Sequence, residues 1–300
     1  MQKSLNHSRV KRAYRLGAVV AVLLASATLS PVVASSAPSI PASSPCGRST
    51  TTSYSHVVWI MLENEGYTVI GSPSAPYLNR LTNVCSLATQ FFAVSHPSLP
   101  NYIALTSGST QGIVDDAEPS QHVLTSASIF SQLGTNWRSL VESMPSRCDH
   151  VTSGVYAARH NPAVYYQSIG AACQQNDVPL TLPLNLSKKF TFIAPNVCDD
   201  MHSCPVATGD QWLSRTVPSI IKSPEYQSGS LVLFITFDEN NLQSSNQVPT
   251  IVVAPSVPRG LRVGERFTHY SLLGSTESLL HLPLLGSART APLMTKRFHL

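Results

Sequence analysis

Apolar runs alternate with amphipathic stretches along most of this chain. His56–Leu62 is apolar from Val57 onwards and rich in strand formers, which predicts a strand buried on both faces. Phe190–Ala194, Ser230–Phe237 and Val248–Ala254 have the same character, the last closed by Pro255. Between them lie patterns of helical period. Ala75–Ala88 places Leu78, Leu81, Val84 and Cys85 on one side. Ile103-Ala104-Leu105 is a short helical segment ending at Gly108. Ile129–Met144 reads as a helix broken near Gly134, and Gly209–Ile221 as one interrupted by Pro218. A last helix opens around Thr268-His269 and turns Leu272, Leu273, Leu279 and Leu280 inwards. Strands alternating with helices predict an α/β fold with a mostly parallel central sheet flanked by helices.

The N-terminus does not fit that pattern. Lys3, Arg9, Lys11, Arg12 and Arg15 precede an uncharged run from Gly17 to Leu29, followed by small residues at 34–37. This is the layout of a secretory signal peptide over residues 1–37, and the run is short for a membrane span; an uncleaved anchor is the alternative. Residues 38–55, rich in Ser, Thr and Pro, read as a flexible leader. The formal charge of +4 belongs to the signal: without it the chain carries 15 basic and 16 acidic residues. The basic balance is therefore no argument for binding nucleic acid. No C-terminal anchor is evident, so the expected location is secreted, either extracellular or periplasmic and cell-surface, with no stable membrane anchor.

Six cysteines in an exported chain point to disulfides. Local loop closure favours Cys46–Cys85, Cys148–Cys173 and Cys198–Cys204, though spacing alone leaves connectivity open. Zinc is the competing reading, weakened by the lack of any Cys-x-x-Cys. The region 145–183 reads as an irregular insertion stapled by Cys148 and Cys173.

In an open parallel sheet, ligands bind beyond the carboxyl ends of the strands. Three predicted strands run into Glu63-Asn64, into Asp199-Asp200-Met201-His202 and into Asp238-Glu239. Glu63, Asn64, Asp238 and Glu239 offer hard oxygen donors suited to one divalent cation such as Ca²⁺, Mg²⁺ or Mn²⁺. Glu65, Asp115 and Asp116 read instead as solvated loop residues. Ser98 stands between two prolines at the start of a helix, where free N–H groups and the helix dipole favour a phosphate. A cation beside it would lower the pKa of its hydroxyl. Among the histidines, His160 and His202 lie in polar loops and His269 opens a helix. His96 either orients the serine loop or only packs beside it. His56, His122, His150, His281 and His299 read as structural or surface residues.

These pieces resemble the phosphoesterase family of secreted acid phosphatases and bacterial non-specific phospholipases C, within the alkaline-phosphatase-like group. The matching residues are Glu63-Asn64, His96-Pro97-Ser98-Leu99-Pro100-Asn101-Tyr102 with Ser107-Gly108, and Arg159-His160-Asn161-Pro162. They continue with Pro195-Asn196 through Asp200-Met201-His202, Gly209-Asp210-x-Trp212-Leu213, Thr236-Phe237-Asp238-Glu239 and His269-Tyr270-Ser271-Leu272-Leu273, in the family's order from about Ser55 to Leu285. The resemblance implies an alkaline-phosphatase-like core over 56–300 and hydrolysis of phosphate monoesters by a nucleophilic Ser98. It places the cation on Glu63, Asn64, Asp238, Glu239 and Ser98. It puts His160, His202 and His269 against phosphate or leaving group, and Asn101 in support of the loop or the phosphate. Past Asp238-Glu239 the phospholipases usually continue Asn-Gly-Gly and then Asp-His, whereas this chain continues Asn240-Asn241-Leu242-Gln243. The expected enzyme is thus a phosphatase, its substrate a phosphate monoester such as a phosphoinositide or nucleotide. The alternative is a phospholipase C-like phosphodiesterase acting on lipid head groups. A serine esterase would need Gly-x-Ser-x-Gly, which does not occur. A non-catalytic phosphate- or metal-binding protein could use the same crevice.

Overall fold

The computed structural model describes residues 44–49, 53–242 and 245–300. The expected signal peptide, 1–37, lies outside them. The expected leader, 38–55, is described at 44–49 and 53–55, and that part is docked rather than free. Cys46 is bonded to Cys85, and Pro45 accepts a hydrogen bond from Tyr226 Oη at 2.9 Å. Tyr54 is buried with its hydroxyl 2.5 Å from Ser256 Oγ.

Six strands form the main sheet: β1 (His56–Leu62), β2 (Trp137–Val141), β3 (Asp177–Pro179), β4 (Phe190–Ala194), β5 (Leu231–Phe237) and β6 (Ile251–Val253). Their spatial order is β3-β2-β4-β1-β5-β6, parallel throughout except for β6, which runs antiparallel to β5. The central strands β1, β4 and β5 are buried on both faces, which is why they read as unbroken apolar runs. Four longer helices flank the sheet: α1 (Pro76–Val84), α2 (Ser98–Ser107), α3 (Val206–Ile221) and α4 (His269–Leu279). They pack pairwise, α1 on α3 and α2 on α4. Trp59 of β1 ties the sheet to α4 through Nε1, which donates to Thr276 Oγ1 at 3.0 Å.

Three local expectations are corrected. The helix expected over Ile129–Met144 is only one turn, Ile129–Leu133; the rest is the strand β2. Trp137–Val141 is short and buried, and pairing with β4 and β3 outweighs its local helical period. Pro218 does not interrupt α3: the helix runs on to Ile221, although the proline lacks the N–H that would bond back to Ser214. The insertion 145–183 is not wholly irregular: its end supplies the edge strand β3. The three disulfides are paired as local closure favours, Cys46–Cys85, Cys148–Cys173 and Cys198–Cys204. No described helix is long and apolar enough to cross a membrane.

Candidate active site

The chain reverses direction across the sheet near β1, and the carboxyl ends of β1, β4 and β5 open there onto one cleft. The last polar-free residue of β1 is Leu62, so Glu63 is the first side chain able to turn into the cleft, and Asp238 occupies the same place after β5. Asn64 takes φ 46°, a left-handed conformation that Asn tolerates better than most residues. Ser98 is the first residue of α2, with Pro97 at the N-cap.

These remote segments meet. Ser98 Oγ lies 3.1 Å from Glu63 Oε2, 3.4 Å from Glu239 Oε1 and 3.5 Å from Asn64 Oδ1. Asp238 Oδ1 accepts the Asn64 N–H at 3.2 Å, while Asp238 Oδ2 is buried without a hydrogen-bond partner. His96 Nδ1 pairs with Glu239 Oε2, so His96 belongs to this rim. Such crowding disfavours charge. Burial, and then Asp238 and Asp200, hold the Glu63 carboxyl well above the usual range. Burial and Glu239 push Asp238 up to about 7. Burial and Asp116 push Glu239 up to about 7.

The donor set fits a hard cation. Three carboxylates, an amide and a hydroxyl converge with few N–H groups to satisfy them. The Asn64 amide has two readings. With its nitrogen inward it donates to Glu63 Oε2 at 3.0 Å and Asp238 Oδ1 at 3.3 Å. With its oxygen inward it adds a further acceptor, 3.5 Å from Ser98 Oγ, to those a cation would meet. A second grouping, Glu63, His160 and Asp200, shares Glu63 with the first. There His160 Nδ1 is already 3.1 Å from Asp200 Oδ2.

The other expected site residues separate into those that reach the cleft and those that support it. His202 is exposed on the cleft beside Ser98. Its Nε2 accepts from Arg159 Nη2 at 3.3 Å, and burial together with Arg159 lowers its pKa. His160, expected against phosphate or leaving group, is instead buried behind Glu63 with Nε2 3.4 Å from Glu63 Oε1. Burial keeps its pKa well below the ordinary value, so the ring is neutral. His269, expected in the same role, is fully buried and directs Nε2 at the Asp238 carbonyl, 2.6 Å away. Its pKa is pushed down to about 4, and a neutral N–H donor there holds the backbone that carries Asp238. Asn101 spends its amide on the loop: Oδ1 accepts from Val94 and Ser95 N–H, and Nδ2 donates to the Ser95 and Pro97 carbonyls.

Four residues that the sequence left out also shape the site. Asp116, read as solvated, accepts the Leu99 N–H at 2.9 Å and lines the cleft. A helix N-terminus attracts whichever anion is near, and here it is this carboxylate. Arg159 lies between Asp116, 3.9 Å away, and His202. Asp200 binds the His202 N–H at 2.8 Å as well as His160, and burial pushes its pKa up to about 8. Tyr102 Oη donates to Glu63 Oε1. Tyr102 was findable, since it follows Ser98 by four positions on a predicted helix and so shares its face. The Gly209-Asp210 motif is structural. A Cβ on Gly209 would lie 2.4 Å from Met201 Cγ, and Asp210 caps α1 through the Tyr77 and Leu78 N–H groups.

The chain matches the model of the phosphoesterase family over residues 69–283. It is 31% identical over 295 residues to a phosphatidylinositol-3-phosphatase of Mycobacterium tuberculosis, covering 95% of this chain and 94% of that protein. It is 30% identical over 254 residues to a phosphate-repressible acid phosphatase of Penicillium chrysogenum, covering 78% of this chain but 60% of that one. The chain thus spans about three fifths of the fungal relative's length. Among solved structures it superposes on an alkaline phosphatase superfamily protein from Vibrio parahaemolyticus with a TM-score of 0.56 at 13% identity, covering 84% of this chain and 74% of that one. A lipoteichoic acid synthase from Listeria monocytogenes gives 0.53 at 14% identity, covering 80% and 76%. At such identities the likeness is one of fold.

Proposed function

This chain belongs to the phosphoesterase family and is a phosphoric monoester hydrolase, and from that premise we propose a secreted, cation-dependent phosphatase whose nucleophile is Ser98. The observation that carries the reading is the meeting of Ser98 Oγ with Glu63 and Glu239, which lie 35 and 141 positions away in the chain. Glu63, Asn64, Asp238, Glu239 and Ser98 would hold the ion, and their oxygens suit Ca²⁺, Mg²⁺ or Mn²⁺. When bound, the ion supplies positive charge for the ionised hydroxyl and the phosphoryl oxygens.

Ser98 Oγ gives up its proton to water in the open cleft and attacks phosphorus, forming a Ser–O–P bond as the ester P–O bond breaks. The departing oxygen takes a proton from His202, which lies on the cleft and must first turn off Arg159 and be protonated. Water then attacks the phosphoserine and His202 accepts its proton; the P–O bond to Ser98 breaks, inorganic phosphate leaves, and Ser98 Oγ regains a proton from water. Arg159 offers the transferring group a fixed guanidinium. Neutral His269 holds the backbone of Asp238 through its carbonyl, neutral His160 packs behind Glu63, and neither takes a proton. The cleft encloses about 470 Å³, room for a phosphorylated head group at an open mouth. A phosphoinositide suits that size, in keeping with the mycobacterial relative's name. Three disulfides and the charged, then apolar, start of the chain support export.

The test is hydrolysis of p-nitrophenyl phosphate beside bis(p-nitrophenyl) phosphate, with and without chelator, across Ca²⁺, Mg²⁺ and Mn²⁺. The monoester should be strongly preferred and chelation should abolish turnover. Ser98→Ala should lower kcat on the order of 10⁴-fold with an unchanged melting temperature. Preference for the diester would favour the phosphodiesterase reading, and near wild-type rates in Ser98→Ala would remove the nucleophile.

A further inference from the structure

Ser98 and Tyr102 lie one turn apart on the same face of α2, and both hydroxyls grip the carboxylate of Glu63. Ser98 Oγ is 3.1 Å from Oε2, and Tyr102 Oη donates to Oε1. We infer that Tyr102 is a positioning residue that ties off one oxygen of Glu63 and so presents the other, in fixed orientation, to Ser98 and the cation. The inference rests on the cation-dependent reading of the site.

The surroundings leave Oε1 no other donor of comparable geometry. Its remaining neighbour is His160 Nε2 at 3.4 Å, which makes no hydrogen bond. The His160 ring is held from its far side by Asp200 at Nδ1. Tyr102 is itself fixed. Its ring stacks on His160 with centroids 5.5 Å apart and planes 7° apart, and meets Phe192 of β4 edge-on at 6.2 Å. It is 1% exposed, so its hydroxyl has no water to turn to.

Donors to ligating carboxylates act through orientation, and losing one costs about 10–100-fold in metal affinity or activity. Without the phenol proton, Glu63 is free to rotate about its terminal bond. Rotation exchanges one defined oxygen for a spread of poses, and the hydroxyl of Ser98 loses its fixed partner. The same argument does not extend to Tyr165 or Tyr166, whose hydroxyls serve backbone and threonine oxygens away from the cleft.

The variant is Y102F, which keeps the stacked ring and removes one oxygen. Mn²⁺ binding to the mature chain is measured by electron paramagnetic resonance, beside thermal melting in chelator and a p-nitrophenyl phosphate assay titrated with Mn²⁺. We expect the Kd for Mn²⁺ to rise about tenfold, with kcat restored towards wild type at saturating Mn²⁺ and the chelator melting temperature little changed. A Y102F protein that binds Mn²⁺ as tightly as wild type overturns the inference and leaves the cation site standing. A Y102F protein that no longer folds also overturns it, by making the phenol a determinant of the fold. A wild-type chain that binds no Mn²⁺ removes the cation reading itself and the inference with it.

Discussion

Two sets of buried carboxylates coexist in this molecule. Asp210 and Glu277 brace the scaffold. Asp210 receives the Tyr77 and Leu78 N–H groups at 2.9 and 2.8 Å, and both oxygens of Glu277 face the Leu285 N–H at 3.1 and 3.2 Å. Glu63, Asp238 and Glu239 are as deeply buried but face one another. Asp238 has one weak donor on Oδ1 and none on Oδ2, and the single Ser98 proton has several acceptors within 3.5 Å. Burial raises the pKa of members of both sets. What separates them is grouping: each scaffold carboxylate stands alone against its N–H donors, whereas these three crowd together and leave Asp238 Oδ2 without a partner. A carboxylate alone with its N–H donors is part of the architecture; three crowded together present the oxygens that the proposed cation would meet.

The sharpest break of that comparison is a pair of exchanges. Asp238→Asn should weaken divalent-ion binding by more than about 100-fold, with activity falling alongside and the fold retained. Isothermal titration with Mn²⁺ checks it, and an unchanged Kd would put Asp238 among the scaffold group. On the histidine side, His202→Asn should slow hydrolysis of alkyl phosphates by about 10²-fold and of p-nitrophenyl phosphate far less, since a good leaving group needs no proton. Equal losses on both substrates would give His202 a binding role instead. Asp210→Ala should leave Mn²⁺ affinity and kcat alone and cost about 1–2 kcal/mol in urea unfolding, the usual size of a lost helix cap.

The smallest expected effect concerns pH. Asp238 and Glu239, at about 7, and Asp200, at about 8, lie above their unfolded values. Their contribution favours the native state at low pH and is lost as pH rises through 7–8. In chelator the melting temperature should therefore drop between pH 6.5 and 8.5. His269, neutral in the native state throughout that range, opposes the drop slightly at its lower end, where an unfolded histidine is still partly protonated. Saturating cation should remove the part due to Asp238 and Glu239, because the ion takes over from the protons. The part due to Asp200, and to Asp177 and Glu277, both also at about 7, should persist. A drop of equal size with and without the ion would mean that both sets behave as scaffold.

Much of the architecture was legible because its signals are local. The runs His56–Leu62 and Leu231–Phe237 are apolar on both faces, and a parallel sheet covered by helices is the setting that demands this. Glu63 and Asp238 stood out as the first polar residues after those runs. The segment Trp137–Val141 was misread because five residues cannot distinguish helix from strand until a partner strand is present. Asp116 was misread for a similar reason. Its polarity suits a solvated loop, and only docking against the start of α2 gives its carboxylate the Leu99 N–H.

The histidines mark the boundary most clearly. A chain of residue types shows that His160, His202 and His269 are present, but not which way each ring faces. The sequence by itself determined the strand ends, the acidic donors they carry and the serine at a helix start. Each of these follows from hydrophobic period and backbone preference within a few residues. Only tertiary structure decided that His202 reaches the cleft, that His160 and His269 stand buried and neutral behind it, and that Tyr102 shares Glu63 with Ser98. Those assignments depend on burial and on contacts between segments more than thirty residues apart, and neither is written in local pattern.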